Sequence, residues 1–164
     1  MAGALPRSPA CNDSVAPSWP AGILAHLDVV YGFALTLTGD AERAGELTEA
    51  VFASVHDDLW STLGGHGLRD RLLARCVVAY IEKTTSRPSG WPATPTRSVE
   101  HSGELEPLLR GLPWNERAAI ALVDQLGLTY AAAAAVLGTD VNGFRTLLHR
   151  GRSVLFAAYR AGAR

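Results

Sequence analysis

The sequence predicts an all-α protein: two small helical domains joined by a flexible linker, with a helix-turn-helix in the C-terminal domain. Alanine and leucine dominate an apolar content of 48%, whereas aromatic residues reach only 7%. This mix favours helices over strands because alanine and leucine lose little side-chain freedom in a helix. Apolar residues also recur at helical spacing in several segments. Residues 88–103 are rich in proline, glycine, serine and threonine, which interrupt regular structure, and are expected to form the linker.

The N-terminal domain is expected to span residues 21–87 and to contain three helices. Apolar residues from Ile23 to Leu37 follow one helical face. Gly39 suits the end of that helix, and Asp40 suits the N-terminal cap of the next one. After a glycine-rich loop, the third helix is expected to run from about Leu68 to Thr84.

The C-terminal domain is expected to span residues 104–164 and to end in a helix-turn-helix. Thr129 can cap a short helix, Gly138 can turn the chain, and Asp140 can cap a longer helix that reaches about Tyr159. A short helix, a tight turn containing glycine and a second helix rich in arginine are the layout of this DNA-binding motif.

The polar face of the last helix is the candidate DNA-binding surface. Four side chains that can donate hydrogen bonds to base edges or phosphates lie at positions i, i+3, i+4 and i+7: Asn142, Arg145, Thr146 and His149. Arginine and asparagine can bond bases bidentately in the major groove. Arg150 and Arg152 flank this stripe and could neutralise phosphates. The alternative is an ordinary surface helix whose polar stripe serves only solubility.

Charge is distributed unevenly along the chain. The formal net charge of −1 argues weakly against a nucleic-acid partner, because domains that bind nucleic acids are usually basic. However, residues 21–60 hold seven carboxylates and one arginine, whereas residues 110–164 hold seven arginines and three carboxylates. This asymmetry suggests two surfaces for two different partners.

An enzyme is the first alternative function, and the sequence gives it little support. Four residues are of the types that bind a metal or exchange protons, although they are far more often plain surface: His56, Asp57, Asp58 and His66. Motifs for a phosphate-binding loop, a nucleophile elbow or a zinc protease are missing. Cys11 and Cys76 form no CxxC pair. We therefore expect no catalytic residues, no metal site and no cofactor.

The first twenty residues are expected to form a disordered tail. They are rich in proline, alanine and serine and lack the continuous apolar core of a secretory signal. No apolar run in the chain approaches the roughly 18 to 20 residues needed to span a bilayer. A cytoplasmic protein without membrane insertion is therefore expected.

Four motifs bring a known family to mind. They are Leu112 to Arg117, Gly127 to Tyr130, Val136 to Gly138 and Leu148 to Arg152. In order and spacing they resemble region 4 of extracytoplasmic-function sigma factors of the sigma-70 family. That region has a leucine-proline opening, a Gly-Leu-Ser/Thr-Tyr step and a Leu-His-Arg-x-Arg close. Residues 30–40 and 46–52 look like the first two helices of region 2 in the same family. The resemblance covers roughly residues 23–159 apart from the linker.

This resemblance implies a role in transcription initiation. Region 2 would dock on core RNA polymerase and help to melt the −10 element of promoter DNA, and region 4 would read the −35 element. An anti-sigma factor would be a further partner. The acidic second helix would face the polymerase through four carboxylates: Glu42, Glu46, Glu49 and Asp57.

The third helix departs from the family pattern. Arg71 lies near the position of a family tryptophan, and Cys76-Val77-Val78 lies near a family Arg-Asn step. Apolar side chains do not hold unstacked bases, although Tyr80 could do so if it were not part of the core.

Two alternative functions stay open besides a sigma factor. One is a degenerate sigma-like regulator that binds polymerase, DNA or a partner protein without opening promoters. The other is a plain helix-turn-helix regulator.

Overall fold

A computed structural model describes residues 22–54, 67–85 and 105–162. Within these ranges the chain forms helices and turns and no strand, which confirms the predicted all-α fold. After a short 3-10 turn, seven α-helices follow: α1 (Leu27–Thr38), α2 (Ala41–Ala53), α3 (Leu68–Thr85), α4 (Leu105–Arg110), α5 (Trp114–Ile120), α6 (Tyr130–Val136) and α7 (Val141–Gly162). The predicted tail and linker lie outside the described residues.

Helices α1 to α3, here called the N-terminal unit, pack around a common apolar core. Gly39 ends α1 in the left-handed conformation, with φ 69°, and its N–H donates to the Leu35 carbonyl at 2.7 Å. Asp40 then caps α2, because its carboxylate accepts the Arg43 N–H at 3.0 Å. Both local predictions are confirmed. The resulting turn lays α2 back along α1 and buries large apolar side chains of all three helices: Phe33, Leu37, Leu47, Val51, Leu72 and Leu73.

Helices α4 to α7, the C-terminal unit, contain a change of helical pitch. At its C-terminal end α5 continues as a π-helical turn over Ala121–Gln125, in which the Leu126 N–H donates to the Ala121 carbonyl at 3.0 Å. Gly127, with φ 67°, then redirects the chain towards α6. Phe144 of α7 is fully buried and anchors that helix in the core of the unit.

The two units pack directly against each other. Helix α1 contacts α5, and α3 contacts α6. The ring of Tyr80 on α3 lies 5.6 Å from the ring of Trp114 on α5, in a tilted arrangement that aromatic pairs favour. The helix-turn-helix is therefore held against the third helix of the N-terminal unit.

Cys76 is a core thiol of α3. It is fully buried, and desolvation raises its pKa to about 12. Because the thiolate is the reactive form, this side chain is inert at neutral pH.

None of the described helices combines the length and the apolar character required for a membrane span.

Gly151 on α7 provides a test of the packing between α7 and α5. A Cβ at this position would lie 2.9 Å from Ile120 Cδ1 and 3.3 Å from Glu116 Cβ. Gly151→Ala is therefore expected to lower the free energy of unfolding by about 1–3 kcal/mol, because the Ile120 side chain would have to move and the contact with Glu116 would be overpacked. Urea denaturation followed by circular dichroism measures this change.

Gly32→Ala is the matched control for that experiment. Gly32 lies inside α1, and no atom lies within 4 Å of the Cβ it would gain. The same substitution should there raise the stability by about 0.5–1 kcal/mol, since alanine is the better helix former. Equal effects of the two substitutions would contradict the close approach of α7 and α5.

Candidate nucleic-acid interface and acidic helix

The turn between α6 and α7 has the local geometry that the sequence predicts. Thr129 caps α6 by accepting the Ala132 N–H at 3.2 Å, and Gly138 takes the left-handed conformation with φ 64°. Asp140 accepts the Gly143 N–H at 2.7 Å and so caps the first turn of α7. These three residues fix the direction in which α7 leaves the turn.

The candidate DNA-binding side chains lie together on the outer face of α7. All six are exposed: Asn142, Arg145, Thr146, His149, Arg150 and Arg152. Phe144 and Leu148 point the other way into the core. The hydroxyl of Thr146 donates to the Asn142 carbonyl at 3.0 Å, so this hydroxyl is partly engaged within the helix. The arrangement leaves a convex, basic helix surface of the kind that enters a major groove.

Arg145 is oriented by an aromatic side chain of α6. Its guanidinium lies 5.8 Å from the centroid of the Tyr130 ring, and that ring lies 6.0 Å from the ring of Phe144. Contact between a cation and the face of an aromatic ring is favourable. Tyr130 thus restricts the position of Arg145, a role that its place in the sequence motif does not reveal.

Arg152 is held by a carboxylate rather than extended from the helix. Its guanidinium bonds both oxygens of Asp124 in the π-helical turn, with Nε to Oδ2 at 3.2 Å. The hydrogen bond to Asp124 raises the pKa of Arg152. Both side chains are nearly half exposed, so the pair contributes little to stability. It does reduce the positive charge that Arg152 presents to a phosphate.

The acidic face of α2 is only partly available to a partner. Glu42 and Glu49 are exposed. Glu46 is exposed as well, and it forms an ion pair with Lys83 of α3, with Oε2 and Nζ 3.3 Å apart. Asp57 lies outside the described residues. Of the four predicted polymerase-facing carboxylates, three are therefore exposed on α2, and one of these three is paired with a lysine.

The apolar departures in α3 have a packing explanation. Cys76 and Val77 are buried, whereas Val78 is 44% exposed. Tyr80 is also buried, against Trp114 of the C-terminal unit, and burial raises its pKa. In this arrangement Tyr80 is a packing residue and does not present its ring to a base.

Sequence reasoning missed two arginines that connect the units. Arg117 of α5 is only 7% exposed and donates from Nη2 to the Leu37 carbonyl at 2.7 Å and from Nη1 to the Arg110 carbonyl at 3.0 Å. Burial lowers its pKa. Arg69 of α3 donates from Nη2 to the Leu126 carbonyl at 2.5 Å. In the sequence Arg117 closes the Leu112 to Arg117 motif and precedes an apolar run, and neither feature shows that its side chain is buried.

Metal-binding geometry is not found in the described part of the chain, where no three His, Cys, Asp or Glu side chains group together. The residues His56, Asp57, Asp58 and His66 lie outside it.

Comparison with known proteins gives a consistent result. Residues 102–155 match the family model of sigma-70 region 4. The chain is 28% identical over 160 residues to the ECF RNA polymerase sigma factor SigE of Mycolicibacterium smegmatis, covering 88% of this chain and 62% of that protein. It is 27% identical over 153 residues to the ECF RNA polymerase sigma factor EcfG of Rhodopseudomonas palustris, covering 82% of this chain and 81% of that protein. The chain thus spans less than two thirds of the mycobacterial relative.

Two solved structures from Bartonella quintana share the fold. The first is the co-crystal structure of the sigma factor RpoE with the anti-sigma factor NepR, with a TM-score of 0.70 and 19% identity over 84% of this chain and 94% of that one. The second is the complex of the anti-anti-sigma factor PhyR with NepR, with a TM-score of 0.53 and 18% identity over 79% of this chain and 47% of that one.

The cap on α7 can be tested by substitution. Asp140→Ala removes the acceptor of the Gly143 N–H and is expected to cost about 1 kcal/mol of unfolding free energy. Asp140→Asn keeps an acceptor oxygen and should cost much less. Thermal unfolding of the three proteins distinguishes these outcomes. A loss as large in the asparagine variant as in the alanine variant would mean that the carboxylate acts by charge and not as a cap.

Proposed function

We propose that this chain is an alternative sigma factor that directs core RNA polymerase to a specific class of promoters. The proposal is supported by its similarity to the extracytoplasmic-function group of the sigma-70 family. In this role the N-terminal unit docks on the polymerase through the acidic face of α2, and α6 to α7 read the −35 element. The observation that carries the proposal is the segregation of charge and exposure: an acidic α2 surface in one unit and an exposed arginine-rich α7 face in the other. The protein would act in the cytoplasm, where polymerase and promoter meet.

Promoter reading is assigned to the outer face of α7. Arg145 and Asn142 lie near the start of the helix, where side chains of a recognition helix contact base edges. Arg150 lies one turn or more further along, where a side chain is better placed for a phosphate. Arg152 contributes less, since Asp124 already holds its guanidinium.

Polymerase docking is assigned to Glu42 and Glu49 on α2. Both carboxylates are exposed and lie outside the contact between the two units. Charged side chains at the edge of an interface speed the association of the correct partners and weaken the binding of wrong partners. Glu46 is also exposed, but its ion pair with Lys83 reduces the negative charge that it offers to a partner.

An anti-sigma factor is proposed as a further partner. The fold is shared with a sigma factor that was crystallised with the anti-sigma factor NepR. The chemistry of such a contact on this chain would involve the apolar side chains that both units leave exposed, among them Leu24 and Phe156.

A degenerate sigma-like regulator is the second candidate, and the burial in α3 favours it. Cys76, Val77 and Tyr80 are used for packing. They leave few groups in the middle of α3 for holding unstacked bases. Such a protein would bind polymerase and DNA yet would not open promoters.

Binding to core RNA polymerase tests the proposed docking surface. Fluorescence anisotropy of the labelled protein is expected to show tight binding to core polymerase. Glu42→Lys or Glu49→Lys should each weaken this binding by about tenfold, because the lysine would then face the positively charged polymerase surface that the acidic helix is proposed to contact. Asp28→Lys is the matched control, because it makes the same charge change at an exposed position on α1. Absence of binding at micromolar concentrations would refute the sigma-factor assignment.

DNA binding tests the division of roles on α7. A promoter fragment is first selected from random sequences by affinity for the protein. Arg150→Gln should weaken binding to all sequences and reduce the slope of log K against log salt concentration by about 1. Arg145→Gln should instead cost about 1–3 kcal/mol on the selected site and relax its sequence preference.

Arg160→Gln is the control for both DNA variants. Arg160 is exposed near the C-terminal end of the same helix, with its guanidinium 5.6 Å from the centroid of the Phe156 ring. It should leave the DNA affinity unchanged. Equal losses for Arg145→Gln, Arg150→Gln and Arg160→Gln would indicate a nonspecific charge effect and would contradict base reading by α7.

A further inference from the structure

Four side chains form a series of contacts that runs from the π-helical turn through α6 to the outer face of α7. Asp124 in the turn bonds the guanidinium of Arg152, with Nε to Oδ2 at 3.2 Å. The pKa of Arg152 is raised first by this hydrogen bond, and the hydroxyl of Tyr130 adds to the rise. The guanidinium of Arg145 lies over the ring of the same tyrosine, 5.8 Å from its centroid. Tyr130 therefore connects two arginines of α7.

The ring of Tyr130 is also fixed from the core side. Phe144 of α7 is fully buried, and its ring lies 6.0 Å from the Tyr130 ring at an interplanar angle of 45°. Tilted pairs at this separation are favourable. Tyr130 itself is 37% exposed, so one part of its surface stays at the outer face of the helix-turn-helix. It is a rigid aromatic surface beside an otherwise flexible arginine.

Such a restraint matters for a side chain that reads DNA. An arginine loses considerable rotamer freedom when it becomes fixed, and binding is weaker by that cost unless the side chain is already oriented. Bidentate bonding of a base edge also requires the planar guanidinium to approach in one orientation. This step rests on the proposed function, in which Arg145 contacts a base edge. Under that function Tyr130 selects the orientation of Arg145 before DNA arrives.

The restraint on Arg152 has a different consequence. An arginine that contacts a phosphate adds affinity for DNA of any sequence. Asp124 holds the Arg152 guanidinium through both carboxylate oxygens, and its negative charge repels an approaching phosphate. The same ion pair keeps Arg152 beside the Tyr130 hydroxyl. Asp124 thus limits sequence-independent binding and supports the position of the tyrosine.

We propose that Asp124 and Tyr130 are positioning residues that determine the sequence specificity of α7. Tyr130 directs Arg145 towards base edges, and Asp124 keeps Arg152 beside Tyr130 and away from phosphates. Two arginines on one helix face thereby have different tasks, although their chemistry is the same.

The test measures binding of the full-length protein to two kinds of DNA by fluorescence anisotropy. One is the site selected from random sequences by affinity, together with versions of that site that carry single base changes. The other is a duplex of random sequence, measured over a series of salt concentrations. The ratio of the Kd for a changed site to the Kd for the selected site, here called the discrimination ratio, reports base reading. The slope of log K against log salt concentration reports phosphate contacts.

Asp124→Ala releases Arg152. The variant should bind random DNA more tightly and steepen the salt slope by about 1, because one more phosphate is neutralised. Its discrimination ratio should fall about two- to fivefold as Tyr130 loses its support. In an Arg152→Gln background the gain on random DNA should vanish. Asp28→Ala is the matched control, since it removes an exposed carboxylate from α1.

Tyr130→Leu removes the ring that faces Arg145. It should lower the discrimination ratio about two- to fivefold, which is the value of a cation–ring contact at an exposed site. Tyr130→Phe keeps the ring and should retain most of the ratio. In an Arg145→Gln background Tyr130→Leu should cause no further loss. Partial unfolding of the helix-turn-helix would weaken binding to all these sites alike, so the ratio separates positioning from a merely structural role.

Three results would overturn the proposal. A gain on random DNA that persists in the Arg152→Gln background would show a general charge effect of Asp124. Equal losses in Tyr130→Phe and Tyr130→Leu, or a loss that persists without Arg145, would exclude the directing role of the ring. If selection yields no preferred site, base reading by α7 fails and the role of Tyr130 fails with it. The salt slopes on random DNA would then still decide whether Asp124 restrains Arg152.

Discussion

The guanidinium of Arg117 lies where the C-terminal ends of α1 and α4 converge, and the placement of one unit on the other depends on it. Removing such a group from water is costly, and here two carbonyl oxygens compensate for the lost hydration. The compensation is incomplete, because the buried Nε has no hydrogen-bond partner. Burial accordingly lowers the pKa of Arg117. A buried contact of this kind fixes a defined geometry but adds only a modest net free energy.

The remaining architecture separates two kinds of surface. The turn at Gly39 and Asp40 folds α2 back on α1 and places its carboxylates outward, whereas the cap at Asp140 directs the arginine-rich face of α7 outward from the other unit. The average net charge of −1 therefore conceals an acidic surface on one unit and a basic surface on the other. The ion pair between Arg152 of α7 and Asp124 shows that an exposed arginine can already be engaged by a carboxylate and is then less available to bind a phosphate.

Local features of the fold could be predicted from the sequence, because their causes lie within a few residues. Gly39 and Asp140 are examples: a left-handed helix end and a helix cap each depend on one residue and its neighbours. The hydrogen bond from Arg117 to Leu37 joins residues 80 positions apart, and nothing near either residue indicates the other. Likewise, Tyr80 could serve either in a core or in base stacking, and only its contact with Trp114 decides for packing in this state.

Mapping of transcript starts shows directly whether this chain starts transcription at promoters of its own. Core polymerase is incubated with fragmented genomic DNA and nucleotides, with and without the protein, and the 5′ ends of the transcripts are sequenced. A sigma factor should produce new starts that depend on the protein and share a two-part sequence motif at fixed upstream distances. Stable binding to polymerase without any new start would contradict it and would establish the chain as a regulator that has kept the fold but lost promoter opening.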